Sequence, residues 1–326
     1  MKKILYNEAL REAMIEEMER EENVITFGED IETYGGVFKV TNKLVEMFGP
    51  DRVRDTPLSE AAITGVAIGA AIAGLRPVVE IMYMDWIGLT LDELVNQASL
   101  LHYVYGGQVK VPMVLRTQGG AGASASAQHS KSLEAWAAHI PGLKVVMPST
   151  PYDAKGLLKS AIRDNNPIVF IEHKLLYGTR GEIPEEEYLV PIGKADVKRE
   201  GKDVTIIATS MMVLEALAAA KNLANEGISV EVVDPRTLIP LDKEAIVHSI
   251  KKTNRALVVH EAWKTCGFGA EISAVIMEEA FHYLDAPVKR IAGFDSPIPY
   301  SPGLEPFVIP NREVIKQAIK EMLGKN

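Results

Sequence analysis

Cysteine is almost absent from this sequence: Cys266 is the one thiol in 326 residues. An internal disulfide framework is therefore excluded, and a reducing cytoplasm is the expected location. Basic charge is also in deficit. The formal net charge of −9 argues against nucleic acid or an anionic membrane surface as the main partner. No apolar run is long enough to cross a bilayer. The longest uncharged one, Ala61 to Leu75, falls short of the roughly 20 residues that a spanning helix needs. The first residues lead into a charged helix predicted over Glu8 to Glu22, so no secretory leader is expected. There is no short-period repeat and no low-complexity tract.

What is present is apolar residue in quantity, 47 % of the chain, over a length that suits two domains. Strand-like runs alternate with helical patterns throughout. Asn23 to Phe27, Pro77 to Tyr83, Val111 to Arg116, Leu143 to Met147 and Pro167 to Glu172 read as strands. Helices are predicted over Leu89 to Tyr105 and after Ser149-Thr-Pro-Tyr-Asp, which has a cap and an early proline in the expected places. Such alternation implies parallel sheets covered by helices, with ligands at the carboxyl ends of the strands. The polar, acidic stretch from Tyr177 to Tyr188 reads as a linker. A second α/β pattern comes after it, with strands at Val204, Ser229 and Arg255 and helices over Met211 to Asn225 and Ala270 to Leu284. The expected fold is α/β with two parallel-sheet, three-layer domains, 1–176 and 191–326, joined by a linker over 177–190.

One segment stands apart. Asp55-Thr-Pro-Leu-Ser-Glu60 puts a carboxylate at the mouth of a helix with no other charge before Arg76. Isolated charge in apolar surroundings costs free energy unless it is used. One reading is local: Ser59 as N-cap, with Glu60 in the first turn, where the helix dipole favours an anion. The other is that Glu60 faces a ligand with which it shares a proton. His129 and Trp86 have two readings as well, an ordinary surface or core residue against a ligand contact. Glu29 is a solvated turn acid or a second acid in a chain of carboxyls. The Ala161-Ile-Arg-Asp-Asn-Asn-Pro turn is at minimum a helix end stopped by Pro167.

Several long motifs occur in fixed order: Gly28-Glu-Asp with Gly35-Gly-Val-Phe-Lys-Val-Thr, Phe48-Gly-Pro-Asp-Arg-Val, Asp55 to Glu60, Gly74-Leu-Arg-Pro, Ala127-Gln-His-Ser130, Pro141-Gly-Leu-Lys-Val-Val and Pro151-Tyr-Asp-Ala-Lys-Gly-Leu-Leu. In the second half comes Asp234-Pro-Arg-Thr-Leu-Ile-Pro-Leu-Asp. Over essentially its whole length the sequence resembles the β subunit of the thiamin-diphosphate-dependent first component of 2-oxo acid dehydrogenase complexes, a group that includes pyruvate, branched-chain 2-oxo acid and acetoin dehydrogenases. The resemblance implies a thiamin-diphosphate pyrimidine-binding domain followed by a transketolase C-terminal-like domain. It implies that Glu60 hydrogen-bonds N1′ of the aminopyrimidine, with Glu29, Leu58, Met82 and Trp86 around the same ring, and that His129 approaches the substrate end. It also implies a possible K⁺ site at Met113, Ala161, Ile162, Asp164 and Asn166, mainly through main-chain oxygens, which a helix end leaves without partners.

Single-chain enzymes of this kind carry a Gly-Asp-Gly motif and a later Asn-Asn that hold Mg²⁺ on the diphosphate. No Gly-Asp-Gly occurs here, and Asn165-Asn166 has none upstream. A single-chain transketolase is the alternative this disfavours. A non-catalytic scaffold is a third reading, against which Glu60 and His129 stand together. The diphosphate half and its Mg²⁺ are expected on an α subunit, in an α2β2 heterotetramer that passes its acyl group to a lipoyl acyltransferase. The sequence motifs divide among pyruvate, branched-chain 2-oxo acid and acetoin as substrate.

Overall fold

A computed structural model describes residues 1–325. The chain forms two compact units, one from Met1–Gly119 with Trp136–Ile192, the other from Gly120–Ala135 with the chain from Gly193 onward.

The first unit opens with β1 (Lys2–Leu5) and α1 (Tyr6–Arg20). Next come β2 (Val24–Gly28), α2 (Leu44–Phe48), β3 (Val53–Asp55), α3 (Glu60–Ile72) and β4 (Arg76–Ile81). The helix predicted over Leu89 to Tyr105 is broken in three: a 3₁₀ stretch Met84–Thr90, a π-helical stretch Glu93–Ala98 and the short α4 (Leu101–Val104). The unit continues with β5 (Val114–Gly119), α5 (Glu134–Ala138), β6 (Lys144–Val146), α6 (Pro151–Arg163), β7 (Ile168–His173) and β8 (Arg180–Ile183). Strands β3, β2, β4, β5, β7 and β6 lie side by side in that order, all parallel. The Tyr177–Tyr188 stretch, read as a linker, is more than that. It holds β8, which pairs antiparallel with β1, and Ile183 joins Ile4 and Ala9 in a small apolar cluster.

α6 shows how sequence sets an element. Thr150 caps it by accepting from the Asp153 N–H at 3.1 Å, and Pro151 occupies a first-turn position where no amide proton is needed. α3 behaves otherwise. Ile63, Ala67, Ile68 and Ala71 are buried, but Gly65, Val66, Gly69 and Ile72 face outward, with Val66 61 % exposed.

The second unit contains β9 (Asp196–Arg199), β10 (Val204–Ala208), α7 (Met211–Ala224), β11 (Val230–Asp234), β12 (Thr237–Ile239) and α8 (Lys243–Thr253). It ends with β13 (Ala256–Trp263), α9 (Gly269–Ala280), β14 (Lys289–Gly293), α10 (Glu305–Val308) and α11 (Arg312–Met322). Its sheet order is β14-β13-β10-β11-β9. α7 and α11 pack on one face, burying Val204, Ile206, Val230, Val232, Leu257 and Val259. α8 packs on the other face, where Thr205 donates to the Ser249 carbonyl. Three layers are thus present. The sheet is not wholly parallel: β9 runs antiparallel to β11 as an edge strand, an arrangement common in α/β domains. Among the described residues no helix is long and apolar enough to cross a membrane.

Candidate active site

Three adjacent parallel strands, β3, β2 and β4, deliver residues to one carboxyl edge of the first unit. Glu29 comes directly after β2. Met82 comes directly after β4, with Trp86 in the 3₁₀ stretch beyond. Glu60 stands past β3 after a four-residue link, at the first turn of α3. The four-residue link is tied down at its start by the Thr56 N–H, which donates to the Gly28 carbonyl at 2.9 Å. Gly28 is needed there, because a Cβ would come 2.8 Å from the Glu80 carbonyl oxygen. Asp55 organises the turn after Glu29. It accepts from the Glu32 N–H at 2.6 Å and from the Thr33 N–H and hydroxyl at 3.2 and 2.7 Å. Burial works against its charge, but these bonds hold it below the usual carboxylate range.

Ser59 makes no side-chain capping bond to α3, so the local reading of this motif is only half met. Glu60 still sits at the positive end of the helix. Glu29 is buried, not a solvated turn acid. Burial pushes its carboxyl up to about 7, and the charges of Glu60, Asp30 and Glu80 add to the effect. Its Oε1 is buried and has no hydrogen-bond partner within the chain. The structure thus brings Glu29 and Glu60 together and leaves one buried acceptor open. A ligand that brings a hydrogen-bond donor to this edge would satisfy it, and an aminopyrimidine carries such a donor in its amino group or its protonated ring nitrogen. Met82 is half-buried beside this edge. Trp86 is 36 % exposed and Leu58 81 % exposed, so neither is a core side chain of this chain.

Behind the edge lies a charge ladder that the sequence pattern did not reveal. The strand register sets Gly28 beside Glu80 and Glu80 beside Arg116; on β7 Arg116 lies beside Phe170, two residues before Glu172, which its side chain reaches. Arg116 donates to Glu80 at 2.8 Å and to both oxygens of Glu172 at 2.7 and 2.8 Å, all with side chains at most 4 % exposed. Tyr177 adds a hydroxyl to Glu172 at 2.5 Å. Burial alone would lower the Arg116 pKa, but the two carboxylates raise it and keep it charged. The signal was an acid or a base within each of three strand-like runs: Glu80, Arg116 and Glu172.

The five residues of the K⁺ expectation lie on neighbouring segments, where β5 and β7 begin. Oxygens of four of them already have donors. Ile168 N–H reaches the Met113 carbonyl at 3.0 Å, and Asp164 N–H reaches that of Ala161 at 3.3 Å. Arg76 Nη1 donates to the carbonyls of Ile162 and Asp164, each at 2.9 Å. The Asp164 carboxylate takes Lys144 Nζ at 2.5 Å and the Asn166 N–H and amide at 2.8 and 2.7 Å. Each carbonyl keeps a second lone pair, so a cation could still be held. The nearby guanidinium and ammonium oppose it.

His129 belongs to the second unit. It is half-buried at the end of the loop leaving β5, with its N–H toward the Ser126 carbonyl at 3.4 Å. Within that unit, Ala127, Gln128 and Lys131 line a largely apolar cavity of about 650 Å³ together with Trp263, Thr265 and Pro297. Trp263 is fixed by its indole N–H, which donates to the Ser296 carbonyl at 2.8 Å. Three further acids near the loop were missed in the sequence: Glu134, Glu261 and Glu305. Burial raises Glu134 to about 7, with the Glu261 charge contributing. Glu261 and Glu305 accept backbone N–H groups of the loop. Among the described residues no three His, Cys, Asp or Glu side chains form a cluster able to hold a metal ion.

Comparison with known proteins agrees with this architecture. Residues 2–180 match the transketolase pyrimidine binding domain, and residues 193–315 match the transketolase C-terminal domain. The chain belongs to this transketolase-like family, in the group of dehydrogenase first-component β subunits. It is 47 % identical to the pyruvate dehydrogenase E1 component subunit beta of Rickettsia conorii, over 98 % of each chain. It is 48 % identical to the protein of the same name in Porphyra purpurea, over 100 % of this chain and 98 % of the relative. It is 46 % identical to the acetoin:2,6-dichlorophenolindophenol oxidoreductase subunit beta of Bacillus subtilis, over 99 % and 98 %. Among solved structures, a split-gene transketolase described as an inactive beta4 tetramer has the same fold, with a TM-score of 0.80 at 24 % identity over 98 % of each chain.

Proposed function

We propose that this chain supplies the aminopyrimidine half of a thiamin-diphosphate site. With an α subunit it would decarboxylate a 2-oxo acid of the pyruvate type, or cleave acetoin, and pass the acyl group to lipoyl-lysine on an acyltransferase. The observation that carries this reading is the Glu29–Glu60 pair: two carboxyls at one sheet edge, one of them with a pKa raised to about 7 and an open buried acceptor. Relatives matched over nearly the full length of this chain are named as beta subunits of a pyruvate dehydrogenase E1 component and of an acetoin oxidoreductase.

When bound, thiamin diphosphate supplies the carbon nucleophile and electron sink of the reaction. The chain's own part is to hold the ring and manage one proton. Glu60 would hold a proton against the pyrimidine N1′. Glu29, easily protonated near neutral pH, limits the negative charge around Glu60 and can take up or return a proton. Met82 and Trp86 would pack against the ring, and Leu58 beside it. His129 would bind or orient the substrate carboxylate, its carbonyl or the incoming lipoyl sulfur. The diphosphate and its Mg²⁺ are assigned to the α subunit, because Gly-Asp-Gly is missing here.

Titration with thiamin diphosphate tests this directly. The chain alone should bind weakly and show no turnover, and addition of the α subunit should restore both. Turnover by the rigorously purified chain would overturn the proposal. For the K⁺ site, KCl should raise the thermal midpoint of the chain more than NaCl at equal ionic strength. Equal effects would remove potassium from the account.

A further inference from the structure

We infer that Glu305 and Glu261 are positioning residues for His129, acting as a carboxylate clamp on the loop that presents its imidazole. The inference deepens the functional reading above and rests on it for the role of His129.

The loop is poorly suited to hold a shape by itself. From Gly119 to Ala127 it contains only glycine, alanine and serine. Such residues offer little side-chain packing and lose much backbone freedom when fixed. Four of them have left-handed backbone angles: Gly120 and Gly122 at φ 90° and 92°, Ser124 and Ser126 at 51° and 70°. A serine in that region is held at a cost. None of the loop residues joins the apolar core that β10, α7 and α11 form in the same unit.

Polar contacts supply the shape instead. Glu261, on β13, accepts from the Ala121 N–H at 2.5 Å and from the Ser132 hydroxyl at 3.4 Å. Glu305, on α10 and only 2 % exposed, accepts from the Gly122 N–H through Oε1 at 2.7 Å. Its Oε2 takes the Ser124 N–H at 2.9 Å and the Ser124 hydroxyl at 3.2 Å. The Gly120 N–H closes the base onto the Lys131 carbonyl at 3.1 Å. Hydrogen bonds to a carboxylate are stronger than neutral ones, and a buried carboxylate with fixed donors has little reason to move. The three consecutive amides of 120–122 are thereby fixed in direction. A few residues further along the chain, Ala127 and Gln128 wall the cavity, and His129 comes next.

The two acids lie 140 and more residues from the loop in sequence, so nothing local demands them. A merely structural acid would stabilise the unit. A clamp must instead affect the loop and act only through His129.

The test uses the assembled α–β enzyme with Glu305→Ala, Glu305→Gln, His129→Ala and the double variant Glu305→Ala/His129→Ala. In both Glu305 variants the amides of residues 120–131 should exchange hydrogen faster by about tenfold to a hundredfold, as expected for loss of one or two charge-assisted bonds. The glutamine variant should show the smaller change, since one acceptor oxygen remains. Transfer of the acyl group to lipoyl-lysine should fall in Glu305→Ala. On the His129→Ala background the same substitution should cost nothing further, because the two act as one unit. Additive losses, or unchanged loop exchange in either variant, would overturn the clamp. A His129→Ala enzyme with wild-type rates would instead overturn the role of His129.

Discussion

Glu29 and Glu60 leave the ends of neighbouring parallel strands and come close enough that the charge of one raises the pKa of the other. Glu29 is thereby brought to about 7, against 4.5 for an ordinary glutamate, with burial as the main cause. A buried acid that is half-protonated near neutral pH is a measurable feature, with or without a cofactor.

Linkage gives its sign. The unfolded chain releases the Glu29 proton near 4.5, the folded chain near 7. The stability contribution of the protonated form is therefore full below about 4.5 and is lost as the pH rises to about 7. Glu29→Gln, which cannot ionise, should raise the unfolding midpoint relative to wild type at pH 8 and leave it nearly unchanged at pH 5. Glu134, also near 7, titrates in the same window and should respond in the same sense to Glu134→Gln. Equal midpoint differences at both pH values would contradict the placement of these acids.

Arg116 sits between Glu80 and Glu172 with all three side chains buried. Replacing it by methionine keeps the volume but leaves two carboxylates facing each other without a cation. Breaking such a pair typically costs about 3–5 kcal/mol. Denaturant unfolding of Arg116→Met should show a loss of that order, diminished at low pH where the carboxylates are protonated. A loss within the noise would mean that the ladder is not charged.

The outward face of α3 predicts assembly. A Cβ added to Gly69 would meet nothing within 4 Å in this chain, and one added to Gly65 would meet only Glu93 Cγ at 3.8 Å. These glycines are therefore not required by packing of the chain onto its own sheet. Gly69→Leu should fold at least as well as wild type, since glycine inside a helix is worth about 0.8–1.0 kcal/mol less than a good helix former. It should nevertheless weaken association with other subunits, seen as smaller species by analytical ultracentrifugation. An unfolded variant, or a wild-type assembly, would count against this face as an interface.

Much of this was legible in the sequence. Alternating strand and helix patterns gave both α/β units, and a lone carboxylate before an uncharged helix drew attention to Glu60. Polarity alone misled at Tyr177 to Tyr188: its charged residues suggested a linker, yet Tyr177 is buried against the Arg116 ladder and Ile183 seats β8 on β1. The antiparallel course of β9 leaves no mark on hydropathy, because an edge strand alternates in the same way in either direction. The broken helix after Thr90 was hidden for a similar reason, as the apolar spacing near Leu94 and Ala98 suits a wider helical turn as well as an α-helical one. The clamp acids were illegible because their partners are backbone amides far away in the chain. Glu305 looks like any surface acid until its bonds to Gly122 and Ser124 are seen.

The central claim is that Glu60 shares a proton with the pyrimidine nitrogen of thiamin diphosphate. The most direct measurement is hydrogen–deuterium exchange at the thiazolium C2 of the cofactor bound to the assembled α–β enzyme, with Glu60→Gln against wild type. An amide cannot share a proton as a carboxyl does, so exchange should slow by about 10²–10⁴-fold, the usual worth of a placed proton-transfer group, while the fold is unchanged by circular dichroism. Exchange at the wild-type rate in a variant that binds the cofactor would contradict the account.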